Sequence, residues 1–133
     1  MTLERRATPD LHSTPGYAHV TLAEGRFAFL AGQCPLDVDG ALVGPADLDA
    51  QVSQVVANAL AALRAAGAGP ADVVRTTIYV ASTSRDDLAR VWTLLRESEL
   101  AEAFTTASTL LGVTVLGYPG QLVELDITAV VAV

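Results

Sequence analysis

The sequence predicts an α+β domain with the order ββαβαββ, and three observations carry that prediction. Two segments repeat apolar residues at three- and four-residue steps, the period of a helix with one buried face. Five others are short, apolar and rich in β-branched or aromatic residues, as strands are. Glycine and proline clusters punctuate the joins. A chain of 133 residues has the length of one domain and can bury roughly two thirds of its unfolded surface.

Residues 1–16 hold two prolines and few large apolar side chains and read as a partly ordered lead. Val20–Leu22 and Arg26–Ala31 read as two strands of a hairpin turning at Glu24–Gly25. Loop chemistry fills Gly32–Pro45, with Pro35, Asp37, Asp39–Gly40 and Gly44. From Asp47 the period changes: Val52, Val55, Val56, Ala59, Leu60 and Leu63 mark one face of a helix, and Gly67 is placed to end it. Val73–Ala81 reads as a strand. Ser84 with Asp87 three residues on predicts a capped helix start, and Leu88, Val91, Trp92 and Leu95 supply that helix's apolar face. Thr109–Leu116 and Leu122–Val133 read as closing strands joined through Tyr118-Pro119-Gly120-Gln121, where Pro and Gly fall as a type II turn requires.

Two helices cannot cover both faces of a sheet this apolar. Phe27 and Phe29 alternate with Ala28 and Leu30, so both faces of that strand are apolar; in the last strand Val130 and Ala132 extend the face that begins with Glu124, Asp126 and Thr128. The expectation is that the second face meets other copies of the chain. An unusually hydrophobic monomer is the alternative.

Half the residues are apolar and the formal charge is −7. The basic residues from Arg26 to Arg96 are scattered, so neither nucleic acid nor an anionic membrane is an expected partner. With one cysteine, Cys34, no intrachain disulfide and no cysteine-based zinc cluster can form. No segment has the length and apolarity of a membrane-spanning helix, and the polar N-terminus lacks the apolar stretch of a signal peptide. A cytoplasmic location is expected.

Phosphate-binding P-loop, dinucleotide-binding and nucleophile-elbow signatures are absent. Two histidines, His12 and His19, cannot make a His-rich metal site, and the carboxylates lack EF-hand spacing. His19 reads as a packing residue on a strand. Cys34 reads as a structural thiol, because no basic neighbour in sequence lowers its pKa. Trp92 lies in the apolar stripe of its helix.

Three segments carry more. Ala31-Gly32-Gln33-Cys34-Pro35-Leu36-Asp37, followed by Gly40 and Leu42-Val43-Gly44, resembles the Gly-Gln-x-Pro stretch and Gly-rich turn of the RidA (YjgF) family. Asp72 to Val80 is similar to that family's middle strand. Ala107-Ser108-Thr109 with Leu122-Val123-Glu124-Leu125-Asp126 resembles its C-terminal signature. The ordered match spans Tyr17 to Val133.

The resemblance implies a chorismate-mutase-like fold, two helices on one face of a mixed sheet, and a homotrimer with small-molecule pockets between subunits. It also implies hydrolysis of reactive enamines or imines to release ammonia, with no metal or organic cofactor. Carried over, Glu124 is the water-orienting carboxylate, and Tyr17, Gly32, Gln33, Ala107, Ser108 and Thr109 are binding residues. Tyr17, Gly32, Gln33, Thr109 and Glu124 are expected in one cleft between adjacent subunits. The departure is Ala107, which stands where many active members carry an arginine that grips the substrate carboxylate. Alanine provides neither the charge nor the paired donors.

Three functional classes follow: a divergent imine or enamine hydrolase, a non-catalytic ligand-binding or regulatory trimer, and, least favoured by the acidic balance, a ribonuclease or translation inhibitor. Arg26 or Arg75 could supply the missing cation from elsewhere.

Overall fold

The computed structural model describes residues 1–133. Its strands are β1 (Thr2–Arg6), β2 (Val20–Glu24), β3 (Arg26–Phe29), β4 (Val73–Val80), β5 (Ala107–Gly112) and β6 (Val123–Val131), with helices α1 (Leu48–Ala65) and α2 (Arg85–Arg96). A four-stranded sheet runs β3-β6-β4-β5, with only the β4–β5 pair parallel. β1 and β2 form a separate antiparallel ribbon.

The helices form where the apolar period places them. The Asp47 carboxylate caps α1 by accepting from the Ala50 N–H at 3.0 Å. Gly67, at φ +74°, closes the other end, with the Ala68 N–H bonded to the Leu63 carbonyl at 2.9 Å. That left-handed position strains any residue with a Cβ. Ser84 precedes α2 as predicted, but its hydroxyl makes no capping bond. Ser82 organises that end instead, accepting from the Ser84 N–H at 3.0 Å and donating to Asp87 at 2.7 Å.

Both helices lie on one face of the sheet. Val52, Val55, Ala59 and Leu63 from α1, and Val91 and Leu95 from α2, close over Ile78, Val80, Leu125 and Ile127. Gln51, also buried, ties α1 to two loops. Its amide donates to the Gly44 and Gly120 carbonyls at 3.1 and 3.0 Å and accepts from the Leu122 N–H at 2.7 Å. The turn before β6 forms as expected, with Gly120 at φ +79° and the Gln121 N–H reaching the Tyr118 carbonyl at 3.1 Å.

Three local expectations are corrected. Residues 2–6 of the lead form a strand, and Arg5 holds that ribbon to the start of β4 by donating to the Ala71 and Val73 carbonyls at 3.1 and 2.8 Å. The β2–β3 hairpin does not form. β2 pairs with β1 and β3 with β6, because Gly25, at φ +148°, redirects the chain between two sheets. The strand expected at Thr109–Leu116 instead begins at Ala107 and ends at Gly112.

Registers assign the uncovered face. Phe29 lies opposite Thr128, Thr77 opposite Asp126, Tyr79 opposite Glu124, and Arg75 opposite both Thr128 and Ala107. Phe27 and Phe29 are 45% and 78% exposed there, and Leu111 is 42% exposed at the far edge. Between them runs a polar band of Glu124, Asp126, Thr128, Thr77, Arg75 and Thr109. No helix is long and apolar enough to cross a membrane.

Candidate functional site

Beyond β3 the chain keeps to the edge of β6. The Leu30 N–H reaches the Ile127 carbonyl at 3.1 Å, and Gln33 exchanges two backbone bonds with Leu125, at 2.7 and 3.1 Å. This register sets Gly32 directly beside Glu124. A Cβ on Gly32 would collide with Glu124 Oε2 and come within 2.9 Å of its Cδ. The backbone conformation does not call for glycine; a side chain here would push the Glu124 carboxylate from its place.

Glu124 is half-buried. Its Oε1 accepts from the Cys34 thiol at 3.2 Å and from the Gln121 amide at 3.1 Å. Burial first, then the neighbouring carboxylate, pushes the Cys34 thiol up to about 11, so at neutral pH it is a protonated donor and not a nucleophile. The Gln33 side chain turns back on the Ala31 carbonyl, at 2.7 Å, so Gln33 contributes its backbone. Gly32, Gln33 and Cys34 line a depression of about 560 Å³ with Asn58 and Tyr118.

The other predicted residues gather at the β5 edge. Tyr17, Ser108 and Thr109 line a cleft of about 610 Å³ walled by Leu88 and Trp92, with Arg85 also in its lining. Tyr17 meets Trp92 edge-on at 6.1 Å, and its hydroxyl lies 3.1 Å from His12 Nε2. A relay of hydroxyls sets the start of β5. The Ala107 N–H donates to Thr21 Oγ1 at 2.9 Å, Thr21 and Thr106 share a bond of 2.6 Å, and Thr106 donates to the Val74 carbonyl at 2.8 Å.

Ala107 itself offers only a methyl group, but a cation stands beside it. Arg75 is its partner across the β4–β5 pair and donates to Thr109 Oγ1 at 2.6 Å. Arg75 makes no ion pair, the two in the protein being Arg6–Glu4 and Arg90–Asp49. Arg26 lies on β3, at the opposite edge of the sheet.

One chain therefore assembles two groups, Gly32, Gln33 and Glu124 at one place and Tyr17, Ser108 and Thr109 at another. Glu124 and Thr109 stand two strands and two residues apart, roughly 12 Å between Cα atoms. No single cleft of one chain holds all five expected residues. His19 precedes β2 instead of lying on a strand. Both its ring nitrogens are engaged by backbone, Nδ1 accepting from the Thr8 N–H at 3.2 Å and Nε2 meeting the His12 carbonyl at 2.9 Å. That is a structural role. No three His, Cys, Asp or Glu side chains converge as metal ligands.

Sequence reasoning missed Gln121 and Cys34 as partners of Glu124 and Trp92 as a cleft wall. The helical stripe signalled Trp92's burial. Nothing local signalled the other two.

Comparisons with known proteins agree with this architecture. A family model described as endoribonuclease L-PSP matches residues 8–131. The crystal structure of YyfB from Yersinia pestis, of the conserved Rid protein family, is 33% identical, with a TM-score of 0.86 over 98% of this chain and 100% of that one. A Mycobacterium tuberculosis member of the YjgF/YER057c/UK114 family is 28% identical, with a TM-score of 0.61 over 98% and 100% of the two chains. A RutC family protein from Pyrococcus abyssi is 39% identical over 56 residues, 42% of this chain and 44% of that protein. The chain thus spans less than half the length of the curated relatives it matches.

Proposed function

The chain belongs to the endoribonuclease L-PSP family, with the Rid/YjgF fold, and from that premise we propose a cofactor-free hydrolase of reactive imines or enamines working in pockets between copies of a homotrimer. The observation that carries the reading is Glu124, a half-buried carboxylate with Oε1 held by two donors and Oε2 set over the bare Cα of Gly32. A water between Oε2 and a bound imine carbon is then poised for attack. As the water oxygen bonds to carbon, its proton passes to Glu124 and the C=N π electrons to nitrogen. Glu124 returns that proton to nitrogen. The new hydroxyl then gives its own proton, by way of Glu124, to the amine as the C–N bond breaks, so that ammonia leaves and the carbon becomes a carbonyl.

The separation of the two groups of residues within one chain supports a site shared between copies. In this reading the β5-edge cleft of one copy closes over Glu124 and the adjoining Gly32–Cys34 depression of the next, while the exposed Phe27 and Phe29 are covered in the same assembly. Ala107 removes the usual carboxylate clamp, which favours imines that do not depend on it. The same substitution favours a second reading, a trimer that binds a small ligand without turnover. A net charge of −7 with scattered arginines gives no support to phosphate-backbone binding.

The test is ammonia release from imines generated in the assay by an amino-acid oxidase, alongside Glu124→Gln. Turnover that Glu124→Gln abolishes supports the hydrolase. Ligand binding without turnover supports the second reading. Turnover untouched by Glu124→Gln removes this residue from the site.

A further inference from the structure

The two oxygens of Glu124 are not equivalent. Oε1 receives both hydrogen bonds, from Cys34 at 3.2 Å and Gln121 at 3.1 Å, while Oε2 faces Gly32. We propose that Cys34 and Gln121 are positioning residues: together they hold the carboxylate in one orientation, so that Oε2 alone is presented to the ligand above Gly32. The inference rests on the hydrolase reading for its consequence, but its geometry can be tested without turnover.

Gln121 has no freedom to do otherwise. It is buried, its Oε1 accepts from the Tyr118 N–H at 3.1 Å, and its Nε2 donates to the Val123 carbonyl at 3.0 Å. Those two bonds fix which way the amide faces, and the remaining N–H falls on Glu124. The type II turn that ends at Gln121 sets this pose.

Cys34 reaches the same oxygen from a different part of the chain, carried by the segment that Gln33 pairs to Leu125. Its one hydrogen has two acceptors in reach, and the Glu124 oxygen is closer than the Gly32 carbonyl at 3.6 Å. The raised thiol pKa keeps that hydrogen in place at neutral pH. A carboxylate held at one oxygen by two donors cannot rotate about its last bond without breaking both contacts. Gly32 ensures that no side chain screens the oxygen left over.

Because Cys34 is the only cysteine, the intact protein gives a single S–H stretching band in the infrared. The band is expected at the frequency of a hydrogen-bonded thiol and should move toward that of a free one in Glu124→Ala. Steady-state turnover supplies the second arm. Cys34→Ala is expected to lower kcat roughly tenfold with KM unchanged, because orientation and not binding is lost. Cys34→Ser, which restores a donor, is expected to recover most of it, while Tm stays common to both variants.

A band that ignores Glu124→Ala overturns the proposal. So does an active protein whose kcat is unchanged by both Cys34→Ala and Cys34→Ser. If the band responds but the protein releases no ammonia from any imine, the hydrolase reading fails and the positioning geometry stands.

Discussion

Leu125 and Glu124 are neighbours on one strand, yet they belong to different parts of the molecule's chemistry. Leu125 points under the helices and is wholly buried, whereas Glu124 points away from them and is half-buried. The covered face of the sheet is closed by side chains of the same chain. The open face carries Glu124, Arg75 and Thr109, together with exposed phenylalanines that nothing in one chain covers. One face holds the fold together, and the other leaves Glu124, Arg75 and Thr109 with only the few polar contacts of their own chain beside apolar side chains open to solvent.

That contrast is tested hardest at β6. Leu125→Ala is expected to cost about 3 kcal/mol of stability, from lost burial and the cavity left behind, read by chemical denaturation. Glu124→Gln should change stability by less than about 1 kcal/mol and lower turnover roughly a hundredfold or more. Equal stability losses at the two positions would show that the two faces are not divided as described.

Assembly comes next. Light scattering on the native protein is expected to give three chains at micromolar concentration, and Phe29→Asp, placing a charge where that face is to be covered, should shift the mass toward one chain. A native monomer would contradict the intersubunit pocket.

At the β5 edge, family-level rates on imines of small amino acids are not expected, because Ala107 supplies no clamp. Ala107→Arg should raise kcat/KM for a carboxylate-bearing imine roughly tenfold, a partial gain, since Arg75 already occupies the adjacent strand. If the native protein matches arginine-bearing relatives and Arg75→Ala removes that activity, Arg75 has taken over the clamp.

A weaker effect concerns pH. Cys34 holds its proton to about 11 against an ordinary 9.0. The unfolded chain therefore loses that proton first, and the thiol's contribution is full below about 9 and lost as pH rises through about 11. The decline should be shallow because the thiol is only part-buried, and Cys34→Ser should flatten it. Iodoacetamide labelling should accelerate over the same window.

Short-range signals in the chain suffice for the two helices, the turn at Tyr118–Gln121 and most of the strands, because each is encoded within a few residues. Periodicity, the Asp47 cap, Gly67 and the Pro-Gly pair act locally. The chain also pointed to Gly32 and Glu124, through the resemblance of the segments that hold them. The partners of strands were another matter. β2 and β3 alternate like hairpin arms, but pairing is decided by which edge is free in space, and β1 and β6 took them. The site's finer arrangement has the same character. Cys34 lies 90 positions before Glu124 and Arg75 lies 32 before Ala107. Folding alone brings them together, because no short-range pattern records which two distant strands will lie side by side or which half-buried carboxylate will find its donors there.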